Sequence, residues 1–190
     1  MPTAVKLVTR SCNGGKGTFT QRLIPADTRI LEFTGDRVVR ELLIQAQASG
    51  GHDSFLQIAE DSFIGASGNT DDYVNHSCDP NCGLEFVNDR IYLKSIKPIS
   101  RGEQLTFDYA TSQQAFPFRF HCHCGSEHCR GEIGDYHELP DARKAYYESM
   151  GVIAPYLIQS PMMAKRRSRG KRVNPGQMAL NFSPAFAPER

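Results

Sequence analysis

The sequence has no tryptophan, no internal repeat and no apolar run of the length that crosses a membrane. It also lacks a charged stretch followed by an apolar segment near its beginning, so no secretory leader is predicted. We therefore expect an intracellular protein, cytoplasmic or nuclear, that has no membrane partner. At 190 residues, the chain is long enough for one domain with a hydrophobic core and a short appendage.

The common nucleotide-binding loops are also missing. Glycine is frequent in residues 14–18, but this segment has neither the spacing nor the Lys-Ser/Thr ending of a Walker loop. No βαβ unit follows it, which excludes a Rossmann turn. Taken alone, the segment predicts a tight turn whose backbone can come close to a ligand.

The net charge of +1 conceals a division of the chain. Residues 1–164 hold 15 Lys/Arg and 20 Asp/Glu, a balance of −5, whereas residues 165–190 hold seven and one, a balance of +6. The acidic part suits a basic partner such as a lysine-rich peptide. Residues 161–190 lack periodicity and are interpreted as a largely disordered tail. Its basic run at 165–172 is either simply solvated, or a weak nucleic-acid contact, or a nuclear-import signal.

Short alternating or β-branched runs predict a mainly β fold with short helices. Strands are predicted at residues 5–9, 29–33, 84–87, 90–96 and 104–107. A helix is predicted at residues 37–48, with Val38, Leu42, Leu43 and Ala46 on one face and Asp36 as its cap. A second helix is predicted at about 141–150, after Pro140.

Two polar segments lie between the predicted strands. Residues 75–82 read Asn-His-Ser-Cys-Asp-Pro-Asn-Cys and contain no aliphatic side chain. By themselves they are typical of a loop with a turn at Asp79 and Pro80. Residues 102–109 lead from a glycine turn into a strand that ends in Phe107, Asp108 and Tyr109. Without further context, ordinary core packing is the simplest interpretation of that strand.

Three of the six cysteines, Cys122, Cys124 and Cys129, fall within eight residues. In a chain that is not secreted, such crowding favours a metal over disulfides. Zinc prefers four tetrahedral sulfur or nitrogen ligands, and this segment supplies three sulfurs. The fourth ligand has to be a nearby histidine or a remote cysteine, because there is no second C-x-x-C pair. Free thiols are the alternative.

Taken in order, five segments resemble the motifs of the SET family of protein-lysine methyltransferases. They are residues 15–19, 30–36, 75–81, 102–109 and 122–129. They are similar to the family's G-x-G strand, its E-Y-x-G-E strand, its N-H-S-C-x-P-N core, its G-E-E-L-x-[FY]-D-Y motif and its post-SET zinc array. The resemblance covers about residues 4–135, and five motifs in sequence are highly specific.

The resemblance implies a SET-type β-clip fold with a C-terminal pseudoknot. It implies a SET domain at residues 4–110 with a helical insert at about 37–72, and a post-SET zinc motif at 111–135. A helical extension at 136–160 and the basic tail at 161–190 would follow. The family's cysteine-rich pre-SET module has no counterpart in this sequence.

The resemblance also implies which residues do what. S-adenosylmethionine would be held by Gly15, Lys16, Gly17, Tyr73, Asn75, His76 and Tyr109, and S-adenosylhomocysteine would leave as product. Tyr109 would be the active-site tyrosine, Phe107 the position that limits methyl number, and Phe33 part of the lysine channel. Zinc would be held by Cys122, Cys124, Cys129 and the remote Cys78. The substrate would be a lysine in a protein or peptide, with histones the family's commonest target.

Two departures from the family pattern bear on activity. Phe33 stands where tyrosine is frequent, and Asp72-Tyr73 stands where Arg-Phe is common. Phenylalanine at 107 is expected to permit di- or trimethylation, because the missing hydroxyl leaves room for a methyl group.

Two alternatives to an active methyltransferase remain. They are a catalytically silent SET-like module that binds peptide, and a zinc-dependent nucleic-acid-binding protein.

Overall fold

The computed structural model describes residues 5–13, 15–48, 54–114 and 119–158, with the backbone alone for 46–48. Short strands dominate these ranges, which confirms the expected mainly β architecture. The strands are β1 Leu7–Cys12, β2 Gly15–Thr20, β3 Arg29–Phe33, β4 Arg37–Val39, β5 Leu56–Ala59, β6 Ser62–Ile64, β7 Asn75–His76, β8 Cys82–Val87, β9 Arg90–Ser95, β10 Thr106–Phe107, β11 Phe120–His121 and β12 Glu132–Ile133. The helices are α1 Arg40–Ala48, α2 Asp141–Ser149 and α3 Pro155–Ile158, and three 3₁₀ turns lie at Thr70–Tyr73, Tyr109–Thr111 and Tyr136–Glu138. The tail predicted at 161–190 lies outside the described residues.

The central sheet has the strand order β3-β9-β8, with both pairs antiparallel. The β8–β9 hairpin turns at Asn88 and Asp89, which both have positive φ, as the tight turns that match strand twist require. Leu84 and Leu93 face each other across this hairpin and are fully buried. Apolar side chains of this sheet therefore form the main core of the molecule.

The insert between β3 and β7 differs from the predicted helix. Residues 37–39 form β4, which pairs with β6, and the helix begins only at Arg40. Val38 and Val39 are β-branched, and the partner strand β6 offers them a ladder that outweighs a helical turn. The predicted apolar face was also wrong at Leu42, which is 54% exposed, while Leu43 is fully buried.

A parallel pair joins β7 to β10, with Asn75 opposite Thr106 and His76 opposite Phe107. The backbone N–H of Ser77 continues the pair by donating to the Phe107 carbonyl at 3.1 Å. The two polar segments, residues 75–82 and 102–109, therefore lie side by side.

The C-terminal elements pack against the outer side of β8. Three side chains are buried there: Tyr147 of α2, Val152 between the two helices, and Leu157 of α3. The approach is closest at Gly83, where an added Cβ would lie 2.4 Å from the Cβ of Val152. Only glycine at position 83 lets the two segments of the chain come this near. In the described residues, every helix is too short or too polar to cross a membrane.

Candidate active site and metal centre

A cavity of about 230 Å³ lies where β2, β3 and β10 meet the turns at 70–73 and 109–111. Its lining includes six of the residues that the sequence resemblance singled out: Lys16, Tyr73, Asn75, Phe33, Phe107 and Tyr109. Gly15, Gly17 and His76 are not among the lining side chains. The fold therefore brings most of the predicted cofactor residues and the predicted lysine-channel residues to one cavity.

One wall of the cavity is polar. The Asn75 side chain donates to the Lys16 carbonyl at 2.9 Å, which ties the end of the 70–76 segment to β2. The Lys16 ammonium lies 5.5 Å from the centre of the Tyr73 ring, within the range of a cation–π contact. These contacts place three predicted cofactor residues together on the wall that carries the hydrogen-bonding groups.

A second wall of the cavity is aromatic. The ring of Phe107 lies 5.9 Å from that of Phe33 and 4.8 Å from that of Tyr109, and Phe33 and Phe107 are buried. The Tyr109 hydroxyl donates to the Val74 carbonyl at 3.0 Å. Burial raises the pKa of Tyr109 above its ordinary value, so the phenol keeps its proton. This wall is apolar apart from one fixed hydroxyl and one carbonyl.

His76 connects the aromatic wall to the cysteines. Its Nδ1 accepts the backbone N–H of Tyr109 at 3.2 Å, and its Nε2 lies 3.3 Å from the Cys78 sulfur. Burial lowers the pKa of His76 to about 4, although Asp108 opposes the change. The ring is therefore neutral, with its proton on Nε2 and directed at sulfur. The predicted contact of His76 with a cofactor stays a prediction.

The Sγ atoms of Cys78, Cys122, Cys124 and Cys129 all lie within 4.8 Å of one another. The sulfurs of Cys78 and Cys122 are 3.8 Å apart. A tetrahedral zinc ion with sulfurs at about 2.3 Å has sulfur–sulfur edges of about 3.8 Å, so the cluster fits this metal. The remote cysteine that spacing left open is thus close to the three local ones.

The pKa shifts of these thiols are also compatible with a bound cation. Burial raises the pKa of Cys78 to about 11 and raises that of Cys122 as well. Burial opposes ionisation of Cys124 too, but hydrogen bonds, that of the Ser126 side chain first among them, lower its pKa to about 6. Because the thiolate is favoured at Cys124 while burial resists negative charge at Cys78 and Cys122, a divalent cation would favour ionisation of those two thiols.

A buried carboxylate links three parts of the chain beside this cluster. Asp108 accepts two hydrogen bonds from the Arg130 guanidinium, at 2.6 and 2.7 Å, and one from the Tyr147 hydroxyl at 3.0 Å. Its side chain has no exposed surface. Phe120 adds a ring 5.7 Å from that of Tyr109. The cysteine segment and α2 are thereby fastened to the residue next to Tyr109.

Comparison with known proteins identifies this arrangement. The protein-family model that describes the SET domain matches residues 15–110, which is half of the chain. The chain belongs to the SET-domain family. The match includes the cavity-lining residues from Lys16 to Tyr109, but not Ser112 and Gln113 of the lining or the cysteines at 122–129.

Relatives of this SET domain are histone-lysine N-methyltransferases by name. Set2 of Drosophila melanogaster is 33% identical over 138 residues, which cover 67% of this chain and 6% of that protein. ASHH3 of Arabidopsis thaliana is 30% identical over 192 residues, which cover 94% of this chain and 51% of that protein. The chain thus spans about half, or much less, of the length of the relatives it matches.

Two solved structures share the fold. A humanized mutant of the Chaetomium thermophilum Polycomb Repressive Complex 2, bound to the inhibitor GSK126, has 26% identity and a TM-score of 0.53. That likeness covers 61% of this chain and 16% of the other. KRYPTONITE in complex with mCHH DNA, an H3(1-15) peptide and SAH has 22% identity and a TM-score of 0.54, over 68% of this chain and 30% of that one.

Several residues of this SET domain were missed by sequence reasoning. Asp71 accepts the Thr34 N–H at 2.8 Å, and Asp72 accepts the N–H groups of Ser67 and Gly68 at 2.8 and 2.7 Å. The acidic residue that departs from the family's Arg-Phe pair therefore fastens a loop of the insert. The only signal in the sequence was the pair of adjacent acids before Tyr73.

The insert also supplies cavity walls, from Leu56 and Ile64. Phe120 and Arg130 were not singled out either, since a lone phenylalanine and a lone arginine in a polar segment carry no pattern. Their importance comes from the tertiary contacts with Tyr109 and Asp108.

Proposed function

We propose that this chain transfers methyl groups from S-adenosylmethionine to the side-chain amine of a lysine in a protein substrate. The observation that carries the proposal is the single cavity with a polar wall at Lys16, Tyr73 and Asn75 and an aromatic wall at Phe33, Phe107 and Tyr109. The names of the relatives and the SAH held by KRYPTONITE support the same chemistry. S-adenosylhomocysteine would be the second product.

The cofactor is assigned to the polar wall, with Gly15, Lys16, Gly17, Tyr73, Asn75, His76 and Tyr109 around it. S-adenosylmethionine supplies a methyl carbon on a sulfonium, which is already electrophilic. The chain has to hold the lysine nitrogen in line with that carbon, an effect of proximity and orientation. The polar wall fixes one reactant while the aromatic wall admits the other.

The lysine has to lose its proton before it can attack. An apolar channel lowers the pKa of an amine, because the buried ammonium loses its hydration. The Tyr109 hydroxyl and the Val74 carbonyl are 3.0 Å apart and stand where they can orient the neutral amine. No general base is assigned, since the lysine can deprotonate before it enters the channel.

The methyl number is assigned to Phe107. This residue is 4% exposed and packs between Phe33 and Tyr109. Because both residues 33 and 107 are phenylalanines, neither position supplies a side-chain hydroxyl. A channel without those hydroxyls holds no ordered water there and leaves room for added methyl groups. We therefore assign di- or trimethylation to this protein.

Zinc is assigned to Cys78, Cys122, Cys124 and Cys129. The metal would hold the segment that presents Phe120 to Tyr109, a structural role typical of a closed four-sulfur site.

A histone is proposed as the substrate, because the relatives are named for that activity and KRYPTONITE holds an H3(1-15) peptide. A nuclear location and a weak nucleic-acid contact through residues 165–172 belong to the same proposal.

The test is transfer of a labelled methyl group to histone and non-histone proteins, with calorimetry of S-adenosylmethionine binding alongside. We expect transfer to lysine and saturable binding. Tyr109→Phe should lower turnover by at least tenfold and leave cofactor affinity within a few-fold, whereas Tyr92→Phe, outside the cavity, should change neither. Cofactor or peptide binding without any transfer would instead support a silent SET-like module.

A further inference from the structure

A second cleft is lined by residues of the β1–β2 ribbon and of the turn at 101–102, and none of its lining residues belongs to the active-site cavity. Four of its lining residues are exposed cations, Lys6, Arg10, Arg22 and Arg101, which we call the basic cleft. Among the described residues that line it, none is acidic. A cleft with one sign of charge is unexpected in a body whose formal balance is −5.

Among the described residues, no carboxylate lies within 4.0 Å of a cation of the basic cleft. Nine of the 15 Lys/Arg in the described ranges lie within 4.0 Å of a carboxylate. Six do not, and four of those six line this cleft. The other two are used elsewhere: Lys16 lines the active-site cavity, and Arg37 donates to the Asp89 carbonyl. The unpaired positive charge of the described chain is thus concentrated at one place.

The strand geometry spreads these charges along a line. Lys6 directly precedes β1, and the Gln21 N–H donates to its carbonyl at 2.8 Å, so the extended pairing continues to this residue. In extended backbone, side chains four residues apart project from the same face, which separates Lys6 and Arg10 by about 13 Å. The Arg10 guanidinium rests 4.5 Å from the centre of the Phe19 ring on the paired strand. The turn that carries Arg101 is fastened by the Gly102 N–H, which donates to the Thr20 carbonyl at 2.8 Å. The backbone that presents the cations is therefore well held.

We propose that the basic cleft binds the phosphate backbone of double-stranded nucleic acid, without reading its sequence. Cations whose backbone positions are spread over about 13 Å match the regular row of phosphates that a duplex offers. Three of the four cations are arginines, whose planar donors match phosphate oxygens. Among the described residues of the lining, Val8 is the only one with an aliphatic hydrocarbon side chain, so they offer no large apolar anchor of the kind typical of a protein partner. The inference does not depend on methyl transfer.

The test uses the full chain and a labelled 20-base-pair duplex, with affinity measured over a range of salt concentrations. The cleft variant is Arg10→Gln, Arg22→Gln and Arg101→Gln together. The matched control, Arg29→Gln, Arg90→Gln and Lys97→Gln, removes the same charge from cations that have carboxylate partners. All three proteins keep the basic tail, so its contribution cancels.

We expect the cleft variant to lose more than about tenfold in affinity at low salt. Its slope of log affinity against log salt should fall by about 2.7, since each lost phosphate contact removes about 0.9. The control should stay near the parent protein, and methyl transfer to a free peptide should be unchanged in both. Equal slopes in the cleft variant and the control would overturn the proposal.

Two further arms identify the ligand class. In the parent protein, duplex should protect Arg10, Arg22 and Arg101 from an arginine-modifying reagent, read by mass spectrometry, which does not depend on how the variant folds. Modification at the same rate with and without duplex would contradict the proposal. Tighter arginine-dependent binding of poly-glutamate, or of vesicles that contain phosphatidylserine, would assign the cleft to an acidic protein or a membrane instead.

Discussion

The central sheet and the cysteine segment flank the same tyrosine, but they are held by different forces. The sheet side is an apolar core in which Leu84, Leu93 and Ile91 are buried with nine further side chains. On the cysteine side, Ile133 is the only aliphatic residue in the buried cluster, and the rest is sulfur. Apolar burial stabilises the first region in proportion to its area, whereas the second is held by one buried ion pair and by the zinc ion proposed above.

Loss of a metal ligand should separate the two regions most strongly. We expect Cys124→Ser to lower bound zinc from about one ion per chain to near zero, because three sulfurs no longer close the tetrahedron. Methyl transfer should fall by at least 100-fold as Phe120 leaves Tyr109. Metal analysis and transfer assays on the same preparation measure both.

The matched control is Cys82→Ser, at a buried cysteine of the sheet core. It should keep its zinc and lose about 1–3 kcal/mol of unfolding free energy, since a hydroxyl replaces an apolar contact. Zinc retained in Cys124→Ser would show that the cluster is not the metal site. Zinc lost in Cys82→Ser would show that the two regions are not independent.

The buried ion pair is the next way to loosen the cysteine segment. In Arg130→Met, the buried Asp108 carboxylate keeps the Tyr147 hydroxyl and the Ala110 N–H as hydrogen-bond donors among the described residues but loses its cation, which should cost about 3 kcal/mol of unfolding free energy. Arg119→Met is the control, because its pairs with Glu132 and Glu138 are half exposed and are worth about 0–1 kcal/mol. Denaturant unfolding measures both. Similar losses in the two variants would mean that burial of Asp108 adds nothing.

A change at the back of the sheet tests the apolar side of the comparison. Gly83→Ala places a methyl group 2.4 Å from Val152 and should cost about 1–3 kcal/mol, because strand and extension must move apart. Gly65→Ala meets nothing closer than 3.6 Å and should stay within about 0.5 kcal/mol of the parent. Thermal unfolding compares them, and we expect zinc content to be unchanged in both. An unaffected Gly83→Ala would contradict the tight packing.

The smallest effect on stability is expected at the aromatic wall itself. Phe107→Tyr should change the unfolding free energy by less than about 1 kcal/mol, because Phe107 lines the cavity and the added hydroxyl can point into it, where water can reach it. The products should shift from di- and trimethyl-lysine toward monomethyl-lysine, since the added hydroxyl fills the space for a methyl group. Mass spectrometry of the peptide product measures this. Phe86→Tyr, outside the cavity, should leave the product distribution as it is, and an unshifted Phe107→Tyr would remove the assigned role.

How far the sequence could predict the fold depended on whether a pattern was local. The alternation at residues 29–33 predicted β3 to the residue, and Pro140 marked the start of α2. The start of α1 was missed, because the preference of Val38 and Val39 for a strand becomes visible only with β6 alongside. Leu42 was predicted on the apolar face for a different reason. Helical periodicity alone does not say which of two neighbouring leucines, Leu42 or Leu43, meets the sheet.

By itself, the sequence determined the family, the mainly β class, and the identity of the aromatic and sulfur-bearing residues at the site. Those features depend on residue types in a fixed order, and the order survives without coordinates. Only the tertiary structure decided that His76 faces Cys78, that Asp108 joins Arg130 to Tyr147, and that four unpaired cations line one cleft. Each of these depends on through-space distances between residues far apart in the chain. A charge or a ring acquires its role from the neighbours that folding brings to it.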